Sequence, residues 1–132
     1  MREIKFRAWD DDKSQMIYDF SKNYQIYTKD ETNILFCGGE MDNGDWNEPI
    51  LMQYTGLKDK KGKEIYEGDI ILNPTATEPE DKGWLVFWKD YRWMIRMNDS
   101  QYQYEFDFNA DFDTSKFEVI GNIYQNPELL TS

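Results

Sequence analysis

From Gln101 to Phe108 the chain alternates without a break. Tyr102, Tyr104, Phe106 and Phe108 fall on one parity; Gln101, Gln103, Glu105 and Asp107 fall on the other. Successive side chains of a strand point to opposite faces, so this octet has one aromatic and one polar face only if it is extended. A helix would scatter the four rings around its axis. An apolar strand face must be covered, and no stretch of the chain offers a long 3.6-residue period free of breakers. Other strands therefore have to supply the cover. The composition agrees: 17% of the residues are aromatic, a class that fits pleated, half-buried surfaces. The same aromatic content argues against disorder, although 31% of the residues are charged.

Further strands read from the same signals. Ile4-Lys5-Phe6-Arg7-Ala8 alternates apolar and charged residues, and Met16-Ile17-Tyr18 returns after the polar turn Asp10 to Ser14, which predicts a hairpin. Tyr24 to Tyr27 and Ile34 to Phe36 predict a second. Gly38-Gly39 and the acidic stretch Glu40 to Pro49, with its Asn43-Gly44 dipeptide, read as a surface loop. Leu51 to Thr55 is a strand, Lys58 to Lys63 a charged turn, and Gly68-Asp69 leads into the aliphatic run Ile70-Ile71-Leu72. Residues 73–83 hold two prolines and read as a loop. Trp84 to Trp88 and Trp93 to Met97 bracket the clearest later hairpin. Phe117 to Tyr124 is a last strand with a bulge or close backbone approach at Gly121. Asn126-Pro127 then opens a single helical turn. Length and pattern together predict one mainly-β domain over residues 1–132: an antiparallel barrel-like or coiled sheet with at most short helices.

The chemistry-bearing residues are sparse. There is no histidine, which removes the commonest general base and metal ligand and every Ser-His or Cys-His arrangement. The one cysteine, Cys37, makes no internal disulfide and follows the apolar run Ile34-Leu35-Phe36, so a buried, inert thiol in a reducing compartment is expected. Nothing apolar follows Met1-Arg2-Glu3-Ile4-Lys5, and no run approaches the ~18 apolar residues of a spanning helix. A cytoplasmic protein is the expectation. Its net charge of −11 opposes nucleic-acid backbones and anionic membranes and favours a basic partner.

Three segments together resemble the YopX-like family of phage and prophage proteins. They are Lys5-Phe6-Arg7-Ala8-Trp9-Asp10, the long stretch Met52 to Ile71 with Gln53-Tyr54-Thr55-Gly56-Leu57-Lys58-Asp59 and Tyr66-Glu67-Gly68-Asp69, and Val119 to Leu129 with Ile120-Gly121-Asn122-Ile123-Tyr124. Residues 73–116 carry less of the likeness. The resemblance implies a small cytoplasmic product of a phage or integrated prophage genome that self-associates into a homo-oligomer. It supplies no catalytic or binding residues and implies no cofactor.

Four constellations carry candidate chemistry. Asp107, Asn109, Asp111, Asp113 and Glu118 stand at positions one, three, five, seven and twelve of an EF-hand-type calcium loop. Phe112 occupies the position that needs Gly, and the flanks read as strands, so a solvated acidic loop anchored by Phe108 and Phe112 is favoured. Lys58, Lys60, Lys61 and Lys63 form a basic knob that reads as a solvated hairpin turn, the alternative being contact with an acidic neighbour such as another copy of the chain. Asp69 is the one acid expected to be partly buried, in a structural hydrogen bond where a strand starts. Trp84, Trp88, Arg92, Trp93 and Arg96 interleave aromatic and cationic groups on one hairpin, a pattern that stacks nucleic-acid bases on some small barrels, although core packing is the commoner use of such tryptophans.

The functional expectation is a non-enzymatic phage accessory protein that acts through protein–protein contacts. A homo-oligomer or a basic host or phage protein is its partner, and in the sharper version its carboxylates imitate nucleic-acid phosphates. The alternative is a small nucleic-acid-binding barrel that uses the Trp/Arg hairpin. A carboxylate-dependent, metal-using hydrolase comes last.

Overall fold

Strand β1 (Phe6–Asp10) turns back into β2 (Gln15–Ile17) with Ala8 opposite Ile17, as the alternation of the first residues requires. In this computed structural model the described residues are 4–20, 24–28, 35–40, 44, 46–72, 83–89, 92–98, 103–108 and 114–130. Among them the fold is mainly β, with twelve strands, two 3-10 turns and no α-helix. All strand pairings are antiparallel, and one sheet curls as a half-barrel. The loop expected over 73–83 falls, except for Gly83, outside the described residues.

The chain forms two compact units, Lys5–Gln53 and Tyr54–Ser132 with Met1–Ile4. In the first, β1 also pairs with the opening residues of β6 (Ile50–Lys58), and β3 (Gln25–Thr28) pairs with β4 (Leu35–Glu40), which pairs with β5 (Trp46–Asn47). Here the sequence reading needs correction. Residues 38–49 are not one loop: β4 runs through Gly38-Gly39 to Glu40, and Glu40 lies opposite Trp46. The glycines read as breakers, but Gly38 makes room. A Cβ on it would meet Cζ2 of Trp46 at 2.6 Å, so only a residue without a side chain lets the indole lie on that strand.

Asp10, expected in the first turn, instead ends β1 and is wholly buried. Its Oδ2 accepts the Tyr24 hydroxyl at 3.0 Å and the Asn47 amide at 3.0 Å, and its Oδ1 accepts the Lys13 N–H at 3.2 Å. A buried carboxylate is tolerable when donors replace its hydration, and here three separate segments supply them. Burial, the hydrogen bond to Asp10 and the nearby carboxylate charge push the Tyr24 hydroxyl up to about 12. Cys37 is fully buried, as its apolar run predicts, and burial with the Asp10 charge pushes its thiol up to about 11.

In the second unit β6 continues to Lys58 and pairs with β7 (Glu64–Tyr66) across a register shift between Tyr54 and Lys58. Gly56 sits in that shift at φ 89°, a left-handed conformation that glycine adopts without strain. The Thr55 hydroxyl donates to the Ile65 carbonyl at 2.7 Å and accepts the Leu57 N–H at 3.1 Å, bridging the gap in the ladder. Beyond β7, β8 (Asp69–Leu72), β9 (Trp84–Lys89), β10 (Arg92–Asn98), β11 (Gln103–Asp107) and β12 (Glu118–Asn122) form a five-stranded sheet in the order β11-β10-β9-β8-β12. The expected irregularity near Gly121 is a bulge between Val119 and Gly121. Ile65, Ile71, Val86, Trp93, Ile95 and Phe108 make the core, with Leu57, Trp84, Phe117 and Val119 packed against it. Phe108 closes the aromatic octet and is among the largest fully buried side chains. Asp69 accepts the Tyr66 N–H at 2.8 Å, the hydrogen bond expected of it, but it is buried fully rather than partly, and Asp10 and Asp59 are buried too. The helical turn after Asn126 is a 3-10 turn, Pro127–Leu130. The Asn126 carboxamide points backwards and accepts the Asn122 N–H at 3.3 Å.

The turn Lys58 to Lys63 is organised around Asp59. Its Oδ1 accepts the N–H groups of Lys61 at 2.8 Å and Lys63 at 2.9 Å, and its Oδ2 accepts the N–H of Val119 at 2.9 Å. The Lys60 N–H donates to the Phe117 carbonyl at 2.8 Å. The turn is thereby fastened to β12, 60 residues further along the chain. Burial pushes the Asp59 carboxyl up. The N–H donors of Val119, Lys63 and Lys61 and the Lys63 charge outweigh that and hold it below its ordinary 3.8.

Two expectations follow from these buried groups. A carboxyl whose folded value is depressed stabilises the fold fully above its unfolded value, and that stabilisation fades as the pH falls through the folded one. Asp59→Asn turns an amide N–H2 toward a backbone donor and should cost about 2–3 kcal/mol at pH 7 in urea unfolding. The gap from wild type should narrow as the pH is lowered below the ordinary 3.8; a gap that stays constant would exclude a charge-dependent role. For Cys37, a thiol at about 11 against its ordinary 9.0 holds roughly a hundredfold less thiolate at pH 8. Reaction with a disulfide reagent should therefore be at least that much slower in native than in urea-unfolded protein, and rapid native labelling would contradict the buried placement.

Candidate functional site

The Trp/Arg hairpin is well formed, but its register separates the two residue types. Trp88 lies opposite Trp93, Val86 opposite Ile95, and Trp84 opposite Met97. These positions share the core face. Arg92 and Arg96, with Leu85, Phe87 and Met94, take the opposite parity and the other face. Trp93 is buried and meets Trp88 edge-on at 4.9 Å, and Trp84 packs on Phe117 at 5.3 Å. Arg96 stacks over the Phe87 ring at 4.8 Å. Trp88 and Arg92 are the exposed members, and they project from opposite faces. The Trp93 Nε1–H is buried and has no hydrogen-bond acceptor among the described residues.

The calcium-loop candidates Asn109, Asp111 and Asp113 lie outside the described residues, as does the side chain of Asp107. Glu118, the fifth, sits 3.4 Å from the Lys60 ammonium and 3.5 Å from that of Lys61. The basic knob thus meets an acidic neighbour, and the neighbour is in the same chain. Among the described residues no group of three or more acids or cysteines is placed to hold a metal ion.

A different cluster stands out on the first unit. Trp46 is 49% exposed, although its indole lies against Gly38. Its Nε1–H donates to the Tyr27 hydroxyl at 3.2 Å, and that hydroxyl donates to Oε1 of Glu48 at 2.7 Å. The Tyr27 and Trp46 rings meet edge-to-face, 5.9 Å apart at 63°. An indole, a phenol and a carboxylate are thus held in one fixed array on strands β3 and β5 and the residue after β5. Glycine beneath the ring permits it, and the hydroxyl relay orients it. Such an array offers an aromatic face and a negative charge, the two features that attract a cation. The sequence reading missed it because Trp46 falls in the stretch taken as loop. The signal was a lone tryptophan between Asp45 and Glu48, where a solvated acidic loop has no use for one.

Comparison with known proteins places this architecture. The YopX protein family model matches residues 5–131. The crystal structure of protein EF1440 from Enterococcus faecalis is similar, with a TM-score of 0.58 and 26% identity over 98% of this chain and 99% of that one. The crystal structure of protein yopX from Bacillus subtilis shares the fold, with a TM-score of 0.57 and 22% identity over 98% and 99% of the two chains. Comparison with curated proteins gives no match. With a family match that runs from the first strand past the last, and the same fold in both solved structures, this chain belongs to the YopX family.

Proposed function

We propose that this protein is a non-enzymatic accessory protein of phage or prophage origin that works in the host cytoplasm through contacts with a basic protein. The observation that carries this reading is the acidic composition of the first unit together with the large apolar side chains it exposes. Between Lys5 and Gln53 there are ten Asp and Glu against five Lys and Arg. The same segment exposes Tyr18, Ile26, Trp46 and Ile50. Large apolar side chains in water supply contact area, and surrounding carboxylates steer a positive partner and set its orientation. In the sharper form of this reading the carboxylates stand in for the phosphates of a nucleic acid. Homo-oligomer formation is the competing use of the same apolar groups. Direct nucleic-acid binding draws less support: the net charge of −11 opposes it, and the exposed Trp88 and Arg92 stand on opposite sheet faces.

The test is affinity capture by the tagged protein from bacterial lysate at low and high salt, with the retained proteins identified by mass spectrometry. The expected result is a basic protein held at low salt and released at high salt, because charge-steered contacts weaken as ions screen them. Recovery of nothing but further copies of the chain at both salts would replace this reading with a self-assembled structural role.

A further inference from the structure

The Tyr27–Trp46–Glu48 array has a chemistry more specific than a generally acidic surface. We propose that it is the docking point for an arginine side chain in a basic segment of the partner protein. This rests on the basic-partner reading above and names the chemistry that would carry it.

Three observations support arginine. The Trp46 ring is fixed rather than merely exposed: Gly38 lies against it, and the Tyr27 hydroxyl holds its Nε1–H. An indole whose rotamer is already set loses little freedom when a partner arrives, which is how an aromatic residue becomes an anchor of an interface. About half of its surface stays open, so a flat group can lie on it without a cavity. Glu48, exposed and coupled to the ring through the Tyr27 hydroxyl, places a carboxylate beside the aromatic pair. A guanidinium satisfies both features at once. It is planar, it stacks on an indole face, and its forked N–H donors match a carboxylate. An ammonium presents a point charge, is more strongly hydrated, and gains less from the ring. The acidic balance of the surrounding segment, ten acids against five bases, supplies the longer-range attraction that brings a basic chain to this point.

The relay has a consequence for binding as well as for order. The Tyr27 hydroxyl spends its proton on Glu48 and its lone pair on Trp46. Removing that hydroxyl keeps the strand pairings of β3, β4 and β5 but releases the indole from its hydrogen bond and uncouples it from the carboxylate. Tyr27→Phe should therefore weaken capture of a guanidinium without altering the fold.

The experiment uses the full chain with 15N-labelled tryptophan. The five indole N–H resonances are followed during titration with an alternating Gly-Arg peptide, and Trp46→Phe identifies the resonance of Trp46. The expected result is a saturable shift of the Trp46 resonance. Binding should be weakened about two- to fivefold in Glu48→Gln and in Tyr27→Phe, the upper range of one exposed charged contact. An alternating Gly-Lys peptide of equal charge should bind more weakly. A Trp46 resonance that stays still, unaltered affinity in both variants, or equal binding of the lysine peptide would each overturn the proposal. Unchanged dispersion of the other indole resonances verifies that each variant is folded.

Lysate capture separates this proposal from the reading beneath it. A basic protein retained equally by wild type, Glu48→Gln and Tyr27→Phe leaves the basic-partner function standing and removes this site. Absence of any basic protein on the wild type, with the arginine peptide still shifting Trp46, removes the function and keeps the site.

Discussion

The second unit depends on how a single carboxylate is satisfied. Removing a carboxylate from water costs several kcal/mol unless donors replace its hydration. Asp59 finds those donors in backbone N–H groups of its own turn and of β12. Because one of the three lies on Val119, the turn and the last strand cannot form independently without leaving Asp59 short of a partner. The Lys60 and Lys61 ammoniums near Glu118 run along the same seam, but exposed ion pairs of this kind are worth little. The buried, backbone-satisfied charge is the stronger fastener. Asp10 does the corresponding work in the first unit, gathering Tyr24, Asn47 and the Lys13 amide from three segments.

Much of the architecture is written in short-range pattern. The first hairpin, the Trp84–Met97 hairpin and strand β11 all follow from period-two alternation, because strand geometry sends alternate side chains to opposite faces whatever the rest of the chain does. Asp69 was legible for a related reason: an acid between Gly68 and an aliphatic run has to be buried with a donor. The features that were not legible depend on contacts distant in sequence. Gly38-Gly39 looks like a breaker until Trp46 is laid against it. Asp10 looks like a turn residue until Tyr24 and Asn47 arrive. Asp59 looks like one charge in a solvated knob until Val119 donates to it. In each case local composition describes the residue correctly and the partner alone decides its role.

The candidate interface shows the same division. Trp84, Trp88, Arg92, Trp93 and Arg96 are close in sequence, and their interleaving suggests a binding platform, yet the two-residue period that makes the hairpin also places arginines and tryptophans on opposite faces. Tyr27, Trp46 and Glu48 are spread over 21 residues, and pairing of β3 and β5 with β4 brings them together. A pattern that depends on sheet register is invisible to spacing alone, since β4 must be placed before residues on its two neighbours can be seen as adjacent.

The fastening of the Asp59 turn to β12 also has a temporal side. A ribosome delivers residues in order, and the described strands of the first unit find their partners within residues 5–53. That unit can close while the rest of the chain is still being made. The second unit cannot. Asp59 and β8 are synthesised early but wait for Val119 and β12, so a carboxylate and a sheet edge remain uncovered over some 60 residues of elongation. Long-range closures of this kind are the slow step of β-sheet folding. During that interval the edge of β8 that β12 later covers has its backbone N–H and C=O groups unpaired, the feature that makes a strand edge prone to pairing with other chains.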